Sequence, residues 1–190
     1  YFEEYPTSNI QIYVVDSKCM SHGSGWLILK TARMREEGSS YEELITFNET
    51  YKTSVKHYLS VDDLSNLIRS GRLSNTSALV GKLLMVKPIM SMKNGKGSIV
   101  AKERGRKKVL KHYVTEYLSR VNNEITDFII AGYTSDINIA ENLKNMLINK
   151  GVDKEIFIMQ MGVSVGNHVG LGGLSMFFVE NRDNHDNVYL

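Results

Sequence analysis

The chain has 190 residues, 42% of them apolar, with a formal net charge of +2, enough for one full domain or one and a half around a real core. Two prolines and 15 glycines exclude a low-complexity linker protein, and so small a net charge is by itself no argument for nucleic acid. The single cysteine, Cys19, excludes a disulfide framework and fits a reducing cytoplasm. No apolar run approaches the ~20 residues of a membrane span, and no signal peptide is visible. The first residues, YFEEYPTSNIQ, lack a Met and lead almost directly into an apolar run. A fragment of a longer protein is expected.

Gln11 to Val15 is rich in β-formers and predicts a buried strand closed by Asp16-Ser17. Ser21 to Gly25 leads into a helical pattern, Trp26, Leu27, Leu29, Ala32 and Met34, that stops at Gly38. Ser40 caps a second helix, and Glu43 completes a capping box. Strand, helix, helix is an α/β unit. After residue 53 the pattern changes. Val55 to Leu59 predicts a strand, and Val61 to Arg69 a short helix capped near Ser60. The stretch Arg69 to Pro88 holds a Gly71-Arg72 turn, a polar cap at Ser74 to Thr76 and an apolar helix from Ala78 to Leu84. That helix is read as one wall of a greasy pocket.

Two strand-like runs, Val86 to Met92 and Gly97 to Lys102, flank Asn94-Gly95, a strong hairpin signal. A long helix follows from Lys107 to about Val121, with Val109, Leu110, Tyr113, Val114, Tyr117 and Leu118 facing inward. Asp127 to Tyr133 is a strand, Asp136 to Lys150 a helix ended by Gly151, and Glu155 to Met161 a strand. Gly162 to Gly173 is Gly-rich, Leu174 to Val179 is the last strand, and Asn181 to Leu190 is a polar tail. The expected fold class is therefore α/β in two lobes. Residues 1–53 are the remainder of a parallel, Rossmann-like α/β lobe, and residues 54–190 a complete α+β lobe with a mixed sheet.

Several signals fail on inspection. Gly23-Ser24-Gly25 lacks the third glycine of a dinucleotide fingerprint, because Ile28 stands there. Glycines that let a helix pack closely on a strand are the better account. Gly81-Lys82 is followed by Leu83 where a P-loop needs Ser or Thr. The histidines His22, His57, His112, His168 and His185 form no metal-spaced pair with each other or with Cys19. No cofactor is expected.

Two features remain. Residues 87–111 hold nine basic residues against Glu103 alone, whereas residues 1–50 hold four basic against eight acidic. The asymmetry points to a local anionic partner. Cations at the start of the helix after Gly105 run against its macrodipole, so they are expected to serve a phosphate or an acidic protein surface. His168 sits in the Gly-rich run, where backbone can approach a ligand closely. It can donate a hydrogen bond to a carboxylate or a water. On residues alone, a histidine merely bonded to backbone in a turn stays open. The Met- and Leu-rich inventory, Leu83, Leu84, Met85, Met90, Met92, Met159, Met161 and Met176 with Phe177 and Phe178, suits an irregular apolar ligand, though most such residues are core.

Taken in order, Val14 to Ser17 with Ser21 and Gly23-Ser24-Gly25, the Gly71 to Ser74 turn, Ala78 to Leu84 running into Lys87-Pro88-Ile89, Asn94-Gly95, Lys102 to Lys108, and Gly166 to Gly170 resemble the DegV family of bacterial fatty-acid-binding proteins. The resemblance implies two lobes enclosing a long-chain fatty acid. The carboxyl end is held by hydroxyls and, directly or through water, by the histidine at position 168 between Gly166 and Gly170. It further implies a cytoplasmic, monomeric carrier without catalytic chemistry of its own. Such a carrier presents the bound acid to a separate fatty acid kinase, which makes an acyl-phosphate for phospholipid synthesis. By the same resemblance, Arg72 and Arg104 look like the basic residues that meet the kinase or the phosphate. The family's amino-terminal Thr-Ser-x-Pro-Ser and Ser-Gly-x-Ser-Gly-Thr-Tyr stretches are absent from the sequence, and Leu171 stands where the family usually has Pro. Two rival readings are a hydrolase or transferase of small acids using His168 with Ser164, and a DNA-associated regulator using Arg104 to Lys111.

Overall fold

Six strands in one mixed sheet organise the chain in the computed structural model, which describes residues 3–4, 9–72, 86–93 and 96–181. The strands are β1 (Val55–Ser60), β2 (Val86–Lys93), β3 (Lys96–Arg104), β4 (Phe128–Tyr133), β5 (Glu155–Gln160) and β6 (Leu174–Val179), in the order β3-β2-β1-β6-β4-β5. β4 and β5 run parallel, joined by helix α5 (Ile137–Ile148); the other neighbours are antiparallel. The β2–β3 ladder closes at Lys93 opposite Lys96. That register fits the predicted two-residue hairpin, while Asn94-Gly95 themselves lie outside the described residues, as do the expected helix from Ala78 to Leu84 and all but the first residue of the polar tail.

Side chains alternate across a strand, and the sheet uses both faces. Phe128 and Ile130 of β4 and Phe177 and Val179 of β6 pack with Trp26, Leu27 and Phe47 from helices α1 (His22–Glu36) and α2 (Tyr41–Tyr51). Ile129, Ala131, Met176 and Phe178 point the other way and meet Tyr113, Val114, Tyr117, Leu143 and Leu147 from α5 and from helix α4 (Arg106–Arg120). The close helix–strand packing expected at Gly23 is present: a side chain there would collide with the His57 imidazole. The expected capping box is complete, with Ser40 Oγ accepting from Glu43 N and Ser40 N donating to Glu43 Oε2. No helix among the described residues is long and apolar enough to cross a membrane.

Four local expectations change. Gln11 to Val15 forms no strand; it has no ladder partner among the described residues, and Ile12, Tyr13 and Val14 are exposed, Val14 to 85%. Among the described residues, the first strand is β1. The helix predicted from Val61 begins later, as α3 (Ser65–Arg69), because Ser60 stays in β1 opposite Ile89 and Leu174. Asp63 then accepts from both Ser65 N and Ser65 Oγ and sets the start. The Gly-rich run is not loop throughout; it contains a seven-residue helix, α6 (Val163–Val169). Leu118 is 49% exposed. It sits one ~100° step beyond Tyr117 and leaves the buried face.

His57 carries a pH prediction. Its ring is buried edge-on to Phe177 at 5.2 Å, and burial pushes it down to about 4. The unfolded chain would bind that proton near pH 6.5 and the folded chain only near 4. Stability is therefore lost as pH falls through this window, by about 3 kcal/mol at full effect. Urea titrations at pH 7 and pH 4.5 should show the loss, and His57→Gln should flatten it. An unchanged slope in the variant would refute the assignment.

Candidate functional site

The end of the sheet face not covered by α1 and α2 is roofed by two short helices. Leu59, Val61 and Met90 from β1 and β2 pack there with Leu64 and Leu67 around α3, Met161, and Val169 of α6. Between this cluster, the hairpin and the segment before α1 lies a cavity of about 750 Å³. Leu59, Leu67, Met90, Met92, Val165 and Val169 make its apolar walls, and Asp16, Lys18, Arg72 and His168 bring the polar groups. Such a volume is typical of a small-molecule site. A smaller apolar chamber continues beneath it and shares Met20, Leu59 and Val165.

Each polar group is held by local structure. α6 turns Ser164, Val165, His168 and Val169 toward the cavity, residues spaced one turn apart. His168 is half-buried, and its Nδ1 is buried without a hydrogen-bond partner among the described residues. No carboxylate orients the ring through that atom, and no hydrogen bond joins it to Ser164 there. Arg72 is placed by the end of α3. Gly71 N donates to Ile68 O (3.0 Å) and Arg72 N to Leu67 O (2.9 Å), a Schellman closure with Gly71 at φ 70°. Lys18 pairs with Asp16, and Lys18 and Ser21 both carry positive φ, 54° and 52°. Such backbone is unusual outside glycine and gathers at functional sites. Ser17 Oγ and Ser24 Oγ are 3.0 Å apart and tie this segment to α1. Cys19 also lines the cavity, but burial pushes its thiol up to about 12, so it stays protonated and unreactive.

The structure thus brings two of the expected residues, His168 and Arg72, to one cavity. Gly166 lies on α6 with ordinary room around it. Gly170 closes α6 at φ 77° and abuts the Asn66 amide, where a side chain would collide. Arg104 is elsewhere. It is exposed opposite Val86 at the end of β3, seven residues and roughly 23 Å along the strand from cavity-lining Gly97. Of the methionines, Met90 and Met92 reach the cavity from alternate positions of β2, while Met161 and Met176 are core and Met159 is exposed. Sequence reasoning missed Lys18, Cys19 and Met20 as wall residues, since nothing in their spacing announces them.

The DegV family model, described as "Uncharacterised protein, DegV family", matches residues 2–181. The chain belongs to the DegV family. A DegV domain-containing protein of Clostridium perfringens is 36% identical over 179 residues, covering 93% of this chain and 60% of that protein. One from Streptococcus pyogenes is 34% identical, with the same coverage. This DegV chain therefore spans about three fifths of the curated relatives it matches. Among solved structures, a Thermus thermophilus DegV protein described for fatty acid binding superposes with a TM-score of 0.79 at 25% identity, covering 94% of this chain and 63% of that one. A fatty acid binding DegV protein of Streptococcus agalactiae gives 0.76 at 27% identity, covering 95% and 63%. The six-stranded mixed sheet with helices on both faces is the fold shared with these neighbours.

Proposed function

We propose that this DegV chain forms part of a long-chain fatty acid carrier, with no catalytic chemistry of its own. The observation that carries the reading is an apolar cavity of about 750 Å³ whose polar groups include His168 and Arg72. An acyl chain of ~16 carbons gains roughly 0.8 kcal/mol per buried methylene, less its ordering cost. Polar groups need only neutralise one carboxylate, because an unpaired buried charge is too costly. His168 lines the cavity and serves that end, with Gly170 fixing the turn behind it and Gly166 beside it on the same helix. Arg72 and Arg104 face a fatty acid kinase or the phosphate it transfers, feeding phospholipid synthesis in the cytoplasm. The carrier acts as a monomer. Residues 1–53 belong to the first lobe and 54–190 to the second, and α1 and α2 are the elements through which the first leans on the sheet.

Among the described residues, the hydrolase reading lacks a group to orient His168 through Nδ1. Against the DNA reading, Lys87 and Arg106 of the basic run are already paired with Asp62. The test is mass spectrometry of an organic extract of the purified protein, on this chain and on a longer version with the preceding segment. A stoichiometric fatty acid in the longer protein is expected, and His168→Ala should lower palmitate affinity there about tenfold. No lipid in either, even after incubation with palmitate or oleate, would refute the carrier reading.

A further inference from the structure

The basic run that looks continuous in sequence divides in space. Arg104 ends β3 and is exposed, Gly105 turns the chain at φ 79°, and Arg106 begins α4 half-buried. Arg106 Nη1 donates to Gly172 O at 2.9 Å, and Nη2 donates to Asp62 Oδ1 at 2.6 Å. Lys87 of β2 reaches the same Oδ1 at 2.9 Å. Asp62 lies against Gly172 so closely that a side chain there would collide with the carboxylate. From the opposite side, Ser135 Oγ accepts from Gly172 N (3.0 Å) and Thr134 Oγ1 from Gly173 N (2.9 Å). The loop 170–173 is clamped from both sides, and it begins where α6 ends, two residues after His168. Gly170 and Gly172, both at positive φ, give that short linkage its turns. α6 itself has only seven residues, too few to hold its own orientation without outside support.

We propose that Arg106, braced by Asp62, is a positioning residue for His168: it fixes loop 170–173 and so aims the imidazole of α6 into the cavity. A planar guanidinium suits this role because one side chain spans a carbonyl and a carboxylate at fixed angles, which a lysine ammonium does not reproduce. Asp62 supplies the counter-charge, and Lys87 ties the same clamp to the hairpin whose Met90 and Met92 form the opposite wall. The wall that receives an apolar chain and the histidine that faces its polar end are thereby held by one carboxylate.

The binding arm of the test rests on the fatty acid reading; the spectroscopic arm does not. In the protein extended by its preceding segment, palmitate affinity is measured for Arg106→Gln, His168→Ala and the double variant, with thermal midpoints alongside. Arg106→Gln should weaken binding about tenfold, Arg106→Lys should recover part of it, and Asp62→Asn should act in the same direction. In the His168→Ala background, Arg106→Gln should add less than twofold, because the arginine acts through the histidine. Full additivity would overturn the proposal. Independently, the imidazole resonance of His168, identified by its loss in His168→Ala, should move in ligand-free Arg106→Gln and return toward its place in Arg106→Lys. An unmoved resonance in a folded Arg106→Gln protein would overturn it as well. If the unmodified protein takes up no palmitate, the fatty acid reading falls and the resonance still decides the positioning claim.

Discussion

Replacing Trp26 by alanine is expected to lower unfolding stability by about 3–5 kcal/mol, the range for removing a large buried aromatic. Trp26 is fully buried, stacks on Phe128 with ring centroids 4.9 Å apart, and donates from Nε1 to Phe128 O at 3.1 Å. Its loss therefore removes transfer energy, leaves a cavity and takes the indole donor from the Phe128 carbonyl at the start of β4. A domain of this size has only about 5–15 kcal/mol in total, so the variant sits near the edge of folding at 37 °C. Urea denaturation followed by circular dichroism is the right probe, since this is the chain's one tryptophan and its fluorescence disappears with it. Trp26→Phe should lose less, because an aromatic contact with Phe128 survives and only the hydrogen bond and part of the ring volume go. A loss under 1 kcal/mol for the alanine variant would mean that α1 is not anchored by this contact. The effect reaches the site too. α1 carries at its start the segment with Asp16, Lys18 and Met20 that walls the cavity, so loosening the helix should loosen that wall.

Much of this arrangement was legible because the signals were local. Ser40 and Glu43 carry their cap in their spacing, and the capping box is there. Lys93 and Lys96 pair across the hairpin that two alternating runs predict. Asp136 accepts from Asn138 N, and Gly151 turns the end of α5 at φ 82°. What failed depended on partners distant in sequence. Gln11 to Val15 has the composition of a strand but no strand to pair with among the described residues, and composition alone cannot supply one. α6 hides in a glycine-rich run because its glycines read as breakers, while Gly162 and Gly170 in fact sit just outside its ends. Arg104 and Arg106 look equivalent in a linear basic cluster. The turn at Gly105 sends one to solvent and the other to Asp62 and Gly172. His168 was found from its glycine surroundings, but its neighbours across the cavity, Lys18 and Met20, come from a segment about 150 residues earlier.

Filling the cavity from α6 should abolish ligand uptake with little cost to folding. Val165→Trp is the choice because Val165 is half-buried and lines both the main cavity and the chamber beneath it. An indole there grows into open space, so overpacking, which costs about 1–3 kcal/mol in a full core, is avoided. Bound fatty acid in the extended protein should fall at least thirtyfold while the thermal midpoint moves by a few degrees at most. Val163→Trp is the matched control. Val163 is on the same helix but 90% exposed, on the opposite side, where it borders a separate groove with Leu171 (79% exposed) and Asn167. It should leave uptake unchanged. The pair of variants distinguishes the two surfaces of α6 by measurement. Loss of lipid in Val163→Trp with normal lipid in Val165→Trp would place the ligand in the outer groove and remove His168, which lines the main cavity, from contact with it. The opposite pattern would locate the acyl chain against β1 and β2, where Leu59 and Met90 give it an apolar floor and Met92 its flank.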